Sequence, residues 1–371
     1  MAQWIASDTE LRQLCDQLST LPTLAVDTEF IRTDTFYPQI ALIQISDGHN
    51  CYLVDVLAIE QFEPLKALLE SPSLVLIFHA CAEDLEVLDY ALDIRPKSIF
   101  DTQIAAGLAN IGYNLGYGRL VERLFDIQLD KCETRSNWLA RPLTQRQLDY
   151  AEVDVLHLHP LYKQLRDALE QQQRNSWLHE EMEHLYAMVK SRKQQQDYYR
   201  RIRGAWRLNA RSLTVLDRLC DWRETIARTQ NRPRSRIIKD PVLLEIARQL
   251  PSAKRQLFAI EDWHPRSINR YGESVLQQIK AVDEKQLLTP LPQPLSKQMN
   301  AVIKTIRSAL SAVAEQQQIP AEFQCNKKEL EDIVRSCSEG SCQWPSRLNQ
   351  GWRSLWVKST IASALAAENL L

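Results

Sequence analysis

Glycine is scarce in this chain: nine in 371 residues, about 2.4% where soluble domains average near 7%. Glycine lets a backbone enter left-handed turns and approach a phosphate closely. Its scarcity therefore disfavours turn-dense all-β folds and glycine-lined phosphate loops. No G-x-G-x-x-G and no G-x-x-x-x-G-K-[ST] occurs, and Gly112, Gly116 and Gly118 stand in the wrong order and follow no strand. That argues against a dinucleotide-dependent enzyme. What is favoured is long helices joined by short links. The length allows two or three domains of roughly 100–200 residues each.

Strands are predicted only in the first third. Residues 23–57 read as a β-meander: TLAVDTEFI, IALIQIS and CYLVDV are apolar, β-branched runs separated by Pro38 and by the turn signal Asp47-Gly48-His49-Asn50. A helix is predicted from about Gln61 to Leu69, opening near Pro64. LVLIFHA (74–80) then reads as a buried strand and EDLEVLDYAL (83–92) as the helix after it, and SIFDTQIAAGLA (98–109) repeats the step. Hairpin-linked strands followed by alternating strands and helices predict an α/β domain with a mixed sheet. From Thr144 the text is helical, with Gln145–Arg166 read as one long amphipathic segment and a Gln-rich helical connector over 170–200.

Beyond the connector the sequence repeats itself at an offset of 87 residues. Val215, Leu216, Leu219, Trp222, Ile226, Ala227, Pro233, Leu243, Ile246 and Arg248 map onto Val302, Ile303, Ile306, Ala309, Val313, Ala314, Pro320, Leu330, Ile333 and Arg335. The 3.6-residue spacing of the apolar positions makes each copy a small helical bundle. The shared proline ends the first long helix of each.

The net charge of −2 hides an asymmetry. Residues 1–170 carry 26 acidic and 13 basic side chains, whereas Lys190–Lys239 holds 15 Lys or Arg against 4 acids, among them Arg192, Lys193, Arg200, Arg201, Arg203, Arg207, Arg211, Arg228, Arg232, Arg234 and Arg236. An acidic module beside a basic one suits a protein in which one part holds cations and the other attracts a polyanion. The N-terminus, MAQWIASDTELRQL, lacks a basic stretch followed by an apolar core, and no apolar run approaches 18 residues; Leu74–Phe78 is strand-sized. These features predict a cytoplasmic protein without a membrane segment. The eight cysteines follow no disulfide-framework spacing, which predicts reduced thiols. Cys337 and Cys342 with Cys325 upstream have no His at finger-like spacing, which argues against zinc.

Four acids and a tyrosine carry the chemistry. Asp27 and Glu29 are i and i+2 on a predicted strand, so both leave one face of an otherwise apolar segment. Two carboxylates so placed repel and raise each other's pKa unless a cation lies between them. Asp84 opens a helix after a buried strand, where the helix dipole favours an acid. Tyr150 and Asp154 are i and i+4 on a helix and stack on one face. Each pair alone also suits a solvated edge or a surface contact; it is their combination and order that inform.

In that order the sequence resembles the DEDD superfamily of 3′→5′ exonucleases, in its tyrosine-bearing branch. The three motifs are Val26-Asp27-Thr28-Glu29-Phe30, Phe78-His79-Ala80-Cys81-Ala82-Glu83-Asp84-Leu85 and Tyr150-Ala151-Glu152-Val153-Asp154-Val155. The duplicated bundles resemble HRDC domains. In the first copy Leu219, Trp222, Arg223, Ala227, Pro233, Asp240, Leu243 and the Arg270-Tyr271-Gly272 step carry the likeness; the second lacks an Arg-Tyr-Gly step. Over nearly the whole chain the arrangement resembles the ribonuclease D family.

The resemblance implies a ribonuclease H-like mixed sheet flanked by helices, followed by two small all-α bundles. The implied domains are an exonuclease domain with its connector over 1–195, a first HRDC domain over 206–289 and a second over 295–371. It further implies phosphodiester hydrolysis with two Mg²⁺ or Mn²⁺ ions, which prefer hard oxygen ligands. Asp27, Glu29, Asp84 and Asp154 are the implied metal ligands, with Asp27 shared between the ions. Tyr150 is the implied orienter of the attacking water, since a phenol with a pKa near 10 is a poor base at neutral pH. The expected activity is a 3′→5′ exoribonuclease that trims structured RNA, with tRNA precursors the implied substrates and nucleoside 5′-monophosphates the products. The alternative is a DNA-directed exonuclease of the same superfamily acting in repair. No nucleotide cofactor and no membrane partner are expected, and the short bundles predict a monomer. Beside the motifs, His79 reads as a substrate contact or a satisfied strand-end histidine. Asp101 reads as an outer support of the site or a helix N-cap. The Phe36-Tyr37-Pro38-Gln39 loop reads as a base-stacking element or a turn with core aromatics. His157 and His159, at i and i+2 on a helix, face apart and make a poor metal pair.

Overall fold

The structure, a computed structural model, describes residues 2–129, 136–193 and 196–370. Cys132 and the side chains of Arg192 and Lys193 lie outside the described residues. The chain divides into two compact units. Met1–Ile31, Ile40–Val189 and Leu295–Leu371 form the first, and Arg32–Gln39 with Lys190–Pro294 form the second.

The first unit is built on a six-stranded mixed sheet. Its elements are β1 (Gln3–Ile5), α1 (Asp8–Leu18), β2 (Thr23–Ile31), β3 (Gln39–Ser46), β4 (Cys51–Asp55), α2 (Glu63–Leu69), β5 (Val75–Phe78), α3 (Ala82–Leu92), β6 (Ile99–Asp101), α4 (Thr102–Leu108), α5 (Tyr117–Phe125), α6 (Gln145–Leu156), α7 (Leu158–Gln171) and α8 (Asn175–Lys193). The strand order is β1-β4-β3-β2-β5-β6. β3 runs antiparallel to β4, while β1 is parallel to β4, and β2, β5 and β6 are mutually parallel. β2 and β3 are central and read as near-continuous apolar runs because both faces are covered. Leu24, Ala25, Val26, Ala41, Leu42 and Ile43 are fully buried.

Helix α6, which carries Tyr150 and Asp154, starts at a capping box. Thr144 accepts from the Gln147 amide while the Gln147 side chain accepts from the Thr144 amide. The single helix expected over Gln145–Arg166 is two, α6 and α7, broken at His157. Pro160 has no N–H for the Leu156 carbonyl one turn earlier, and at the break the His157 amide donates to the Val155 carbonyl and to the Tyr117 hydroxyl, the latter at 3.1 Å. Strand β1 is three residues long and leaves no periodicity to read, whereas helix α1, also outside the sequence expectation, carries local signals: Ser7 caps it through the Glu10 amide, and Leu11, Leu14, Cys15 and Leu18 form its buried face.

In the second unit, 3₁₀ turns lead into α9 (Ala210–Thr229), α10 (Arg234–Ile237), α11 (Asp240–Gln249), α12 (Lys254–Leu257) and α13 (Pro265–Lys280). Its core of Leu213, Leu216, Leu219, Leu243, Ile246 and Val275 is fully buried, each side chain contributing on the order of 1.5–3 kcal/mol. Phe36 belongs to this core. Its ring lies under the Arg228 and Arg234 guanidiniums, and its amide and that of Tyr37 donate to Asn231 Oδ1. Phe36 is therefore a core aromatic and unavailable to stack a base.

The second bundle comprises α14 (Lys297–Gln317), α15 (Lys327–Ser338), α16 (Ser346–Asn349) and α17 (Gly351–Ala367) and packs in the first unit. The repeat is visible in the helix starts: α9 and α14, and α11 and α15, begin 87 residues apart. Pro233 and Pro320 occupy the same place, each capping a short turn. The bundle docks on α8 through stacked Trp177 and Trp352, 4.9 Å apart, and through the buried Arg353–Glu181 ion pair. Gly107 on α4 leaves room there for the Phe323 ring, which a Cβ at that position would force to shift. Contrary to the expectation of reduced thiols throughout, Cys337 and Cys342 are disulfide-bonded, brought together by the turn through Gly340 at φ +81°. Among the described residues no helix is long and apolar enough to cross a membrane.

Many cations of the basic segment are spent inside the second unit. Arg223, 4% exposed, is bonded to the Ile238 carbonyl and Asp240; Arg228 and Arg234 pair with Glu224, Arg236 with Asp34, and Arg211 with Glu284. Arg201, Arg203, Arg207 and Lys239 are exposed.

Candidate active site

Strand alternation turns the Asp27 and Glu29 side chains to one face of β2, and α6 packs against that strand. One carboxylate oxygen from each of Asp27, Glu29 and Asp154 lies within 4.8 Å of the others. Tyr150 lies one turn before Asp154 on the same face of α6, with its hydroxyl near enough to stabilise the Asp154 carboxylate. Asp84 lies outside this closest group. It occupies the first turn of α3, 8% exposed, and accepts a hydrogen bond of 2.5 Å from Thr28 Oγ1. Its charge still acts on Asp27, Glu29 and Asp154.

The electrostatics are those of like charges held together. Burial, then the charges of Asp154 and Asp84, pushes Glu29 up to about 9. Burial, opposed by the Tyr150 hydrogen bond and reinforced by Asp84, lifts Asp154 to about 7. Burial lifts Asp84 to about 6 against the pull of the Thr28 hydroxyl. Asp27 is raised well above the carboxylate range by burial and then by Asp84, Asp154 and Glu29. Tyr150 is driven further up by burial and by Asp154, so it stays a neutral donor. Such a cluster is costly unless protons or cations occupy it. An all-carboxylate donor set suits hard divalent cations such as Mg²⁺ or Mn²⁺ better than zinc, whose sites usually include N or S ligands. The residues therefore fit the ions the sequence implied.

Around the site, His79 has both ring nitrogens engaged, Nδ1 with Thr102 Oγ1 at 2.9 Å and Nε2 with the Leu115 carbonyl at 3.0 Å, which is the satisfied strand-end role. Asp101 caps α4 through the Gln103 and Ile104 amides. His159 Nε2 donates to the Ser46 carbonyl, 3.0 Å away, and His157 ends α6. Tyr117 escaped the sequence reading. Its hydroxyl donates to the Val153 carbonyl at 2.8 Å and so steadies the end of α6 beside Asp154. A contact spanning 36 residues leaves no local pattern to find.

Residues 2–170 match a family model described as 3′-5′ exonuclease, and residues 212–279 match the HRDC domain. Ribonuclease D of Pseudomonas paraeruginosa is 38% identical over 98% of this chain and 97% of its own length. Ribonuclease D of Escherichia coli is 34% identical over 90% of this chain and 89% of its own. The crystal structure of Escherichia coli RNase D, described as an exoribonuclease involved in structured RNA processing, superposes with a TM-score of 0.91 at 30% identity, covering 99% of both chains.

Proposed function

Because this chain belongs to the ribonuclease D family and is a 3′→5′ exoribonuclease that uses divalent cations, we propose that it trims the 3′ ends of tRNA precursors and similar structured RNAs. The DNA-directed alternative is not favoured by these relatives. In our reading Asp27, Glu29, Asp84 and Asp154 would hold two Mg²⁺ or Mn²⁺ ions. The observation that carries this is the convergence of Asp27, Glu29 and Asp154 within 4.8 Å. When bound, such ions neutralise charge developing on the scissile phosphodiester and make nearby water more acidic.

The chain's own residues do the rest. The Tyr150 hydroxyl, beside Asp154, has lone pairs with which to accept from an attacking water and aim it at phosphorus. A phenol with its ordinary pKa near 10 is neutral at pH 7, which suits it to orient the water and not to take its proton. Attack breaks the bond from phosphorus to the 3′ oxygen of the preceding nucleotide and releases a nucleoside 5′-monophosphate. Exposed Arg201, Arg203, Arg207 and Lys239 are suited to hold the RNA body through phosphate contacts, which makes binding salt-dependent. The domain limits 1–195, 206–289 and 295–371 remain our proposed division of labour, and we take the working form to be a cytoplasmic monomer without a nucleotide cofactor.

A tRNA precursor with a 3′ trailer tests the substrate reading. Nucleoside 5′-monophosphates should appear from the 3′ end, and a DNA strand of matched sequence should be degraded more slowly. Internal fragments, 3′-phosphate products or faster loss of the DNA would refute it. Tyr150→Phe should lower turnover about 10²-fold while leaving Mn²⁺ binding unchanged; wild-type turnover would remove Tyr150 from the mechanism.

A further inference from the structure

Asp84 is held from two directions. Thr28 sits between Asp27 and Glu29 on β2, so strand alternation turns its side chain away from theirs. It is 6% exposed, and its hydroxyl is bonded to Asp84 Oδ1 at 2.5 Å across 56 residues of sequence. From beneath, Asp101 grips the turn that leads into α3. Its carboxylate, 1% exposed, accepts from the Ala80 amide at 3.2 Å and the Cys81 amide at 2.8 Å. Ala80 is in the left-handed region at φ 59°, a conformation that a residue with a Cβ holds only when its surroundings enforce it. Cys81 is the residue from which α3 starts, and Asp84 is the third residue of that helix. Asp101 thus sets where the backbone of Asp84 lies.

A carboxylate fixed only through its backbone can still rotate and present either oxygen. A hydroxyl donor on one oxygen stops that rotation, and Thr is suited to the task because β-branching restricts its χ1 on a strand. Carboxylates that ligate a metal are oriented by such partners, whose loss typically costs 10–100-fold in metal affinity. We propose that Thr28 is a positioning residue of the cation site: its hydroxyl engages Asp84 Oδ1 and leaves Oδ2 as the oxygen available to a divalent cation, with Asp101 anchoring the turn that carries Asp84. The D-x-E reading rests on its two acids; here the middle residue has work of its own.

The inference rests on Asp84 being a cation-holding residue, and one titration separates the two claims. Mn²⁺ binding is followed by electron paramagnetic resonance on the full chain without RNA, for the wild type, Thr28→Val, Thr28→Ser and Asp84→Asn, with circular dichroism as the check on folding. Thr28→Val should raise the half-saturating Mn²⁺ concentration about tenfold or more, and Thr28→Ser, which keeps the hydroxyl, should stay within about twofold of wild type. Turnover of Thr28→Val at saturating Mn²⁺ should recover most of the loss. If Thr28→Val does not fold, Thr28→Ala takes its place in the same titration. Wild-type Mn²⁺ binding by Thr28→Val beside a defective Asp84→Asn overturns the role of Thr28 alone. Wild-type binding by Asp84→Asn overturns the reading of Asp84 and this inference with it.

Discussion

Asp154→Asn should abolish RNA hydrolysis and at the same time make the cation-free protein more stable than the wild type. On the proposed reading of Asp154 as a cation-holding residue, the first effect follows from the loss of a hard anionic ligand where bound cations would supply several kcal/mol of transition-state stabilisation, so turnover should fall by about 10³-fold or more. The second follows from the cluster itself. Asp154 shares a small space with Asp27 and Glu29 and feels the Asp84 charge, and an amide of the same shape removes the repulsion without emptying the space. The same pair of effects is expected for Asp27→Asn. Turnover of a 3′-labelled oligoribonucleotide and thermal unfolding in chelator read the two effects separately. A variant that is inactive but less stable than wild type in chelator would mean that the carboxylate serves the fold, and an active variant would remove it from the site.

The second large effect is a link between pH, cations and stability. In chelator, the wild type should lose stability as pH rises from about 5 to about 9, because the folded chain keeps protons on Asp84, Asp154 and Glu29 that the unfolded chain has released. Their folded values of about 6, 7 and 9 lie above an unfolded carboxylate near 4. Stability from these groups is complete below the unfolded value and is lost as pH climbs through the folded ones. A divalent cation replaces those protons, so saturating Mg²⁺ should flatten the slope. The gap in melting temperature with and without Mg²⁺ should widen by several degrees between pH 6 and pH 8.5, since each kcal/mol moves the midpoint of a domain near this size by roughly 2–4 °C. A gap independent of pH, or one that narrows as pH rises, would contradict the clustering of these acids.

The strands and helices of the first unit were largely legible because their signals are local. Three apolar β-branched runs became β2, β3 and β4, and two strand–helix steps became β5–α3 and β6–α4. The repeat was legible for the same reason, since its two copies share a helical period. The long helix over Gln145–Arg166 failed on one residue: Pro160 was overlooked as the breaker that separates α6 from α7. The basic segment was legible as a charge run but not as a surface. Arg223, Arg228 and Arg234 look like Arg201 and Arg203 in the sequence, yet the first three are consumed by Asp240 and Glu224.

By itself, then, the sequence determined which side chains leave the chain together: Asp27 with Glu29, because a strand repeats every two residues, and Tyr150 with Asp154, because a helix repeats every 3.6. Only the tertiary structure decided that these two pairs meet, that Asp84, outside their closest group, takes the Thr28 hydroxyl, and that Phe36 belongs to a helical core. Local periodicity records the direction of a side chain relative to its own backbone. Which distant backbone it will face is settled by packing, and packing between residues 50 or more apart leaves no trace in the spacing of either.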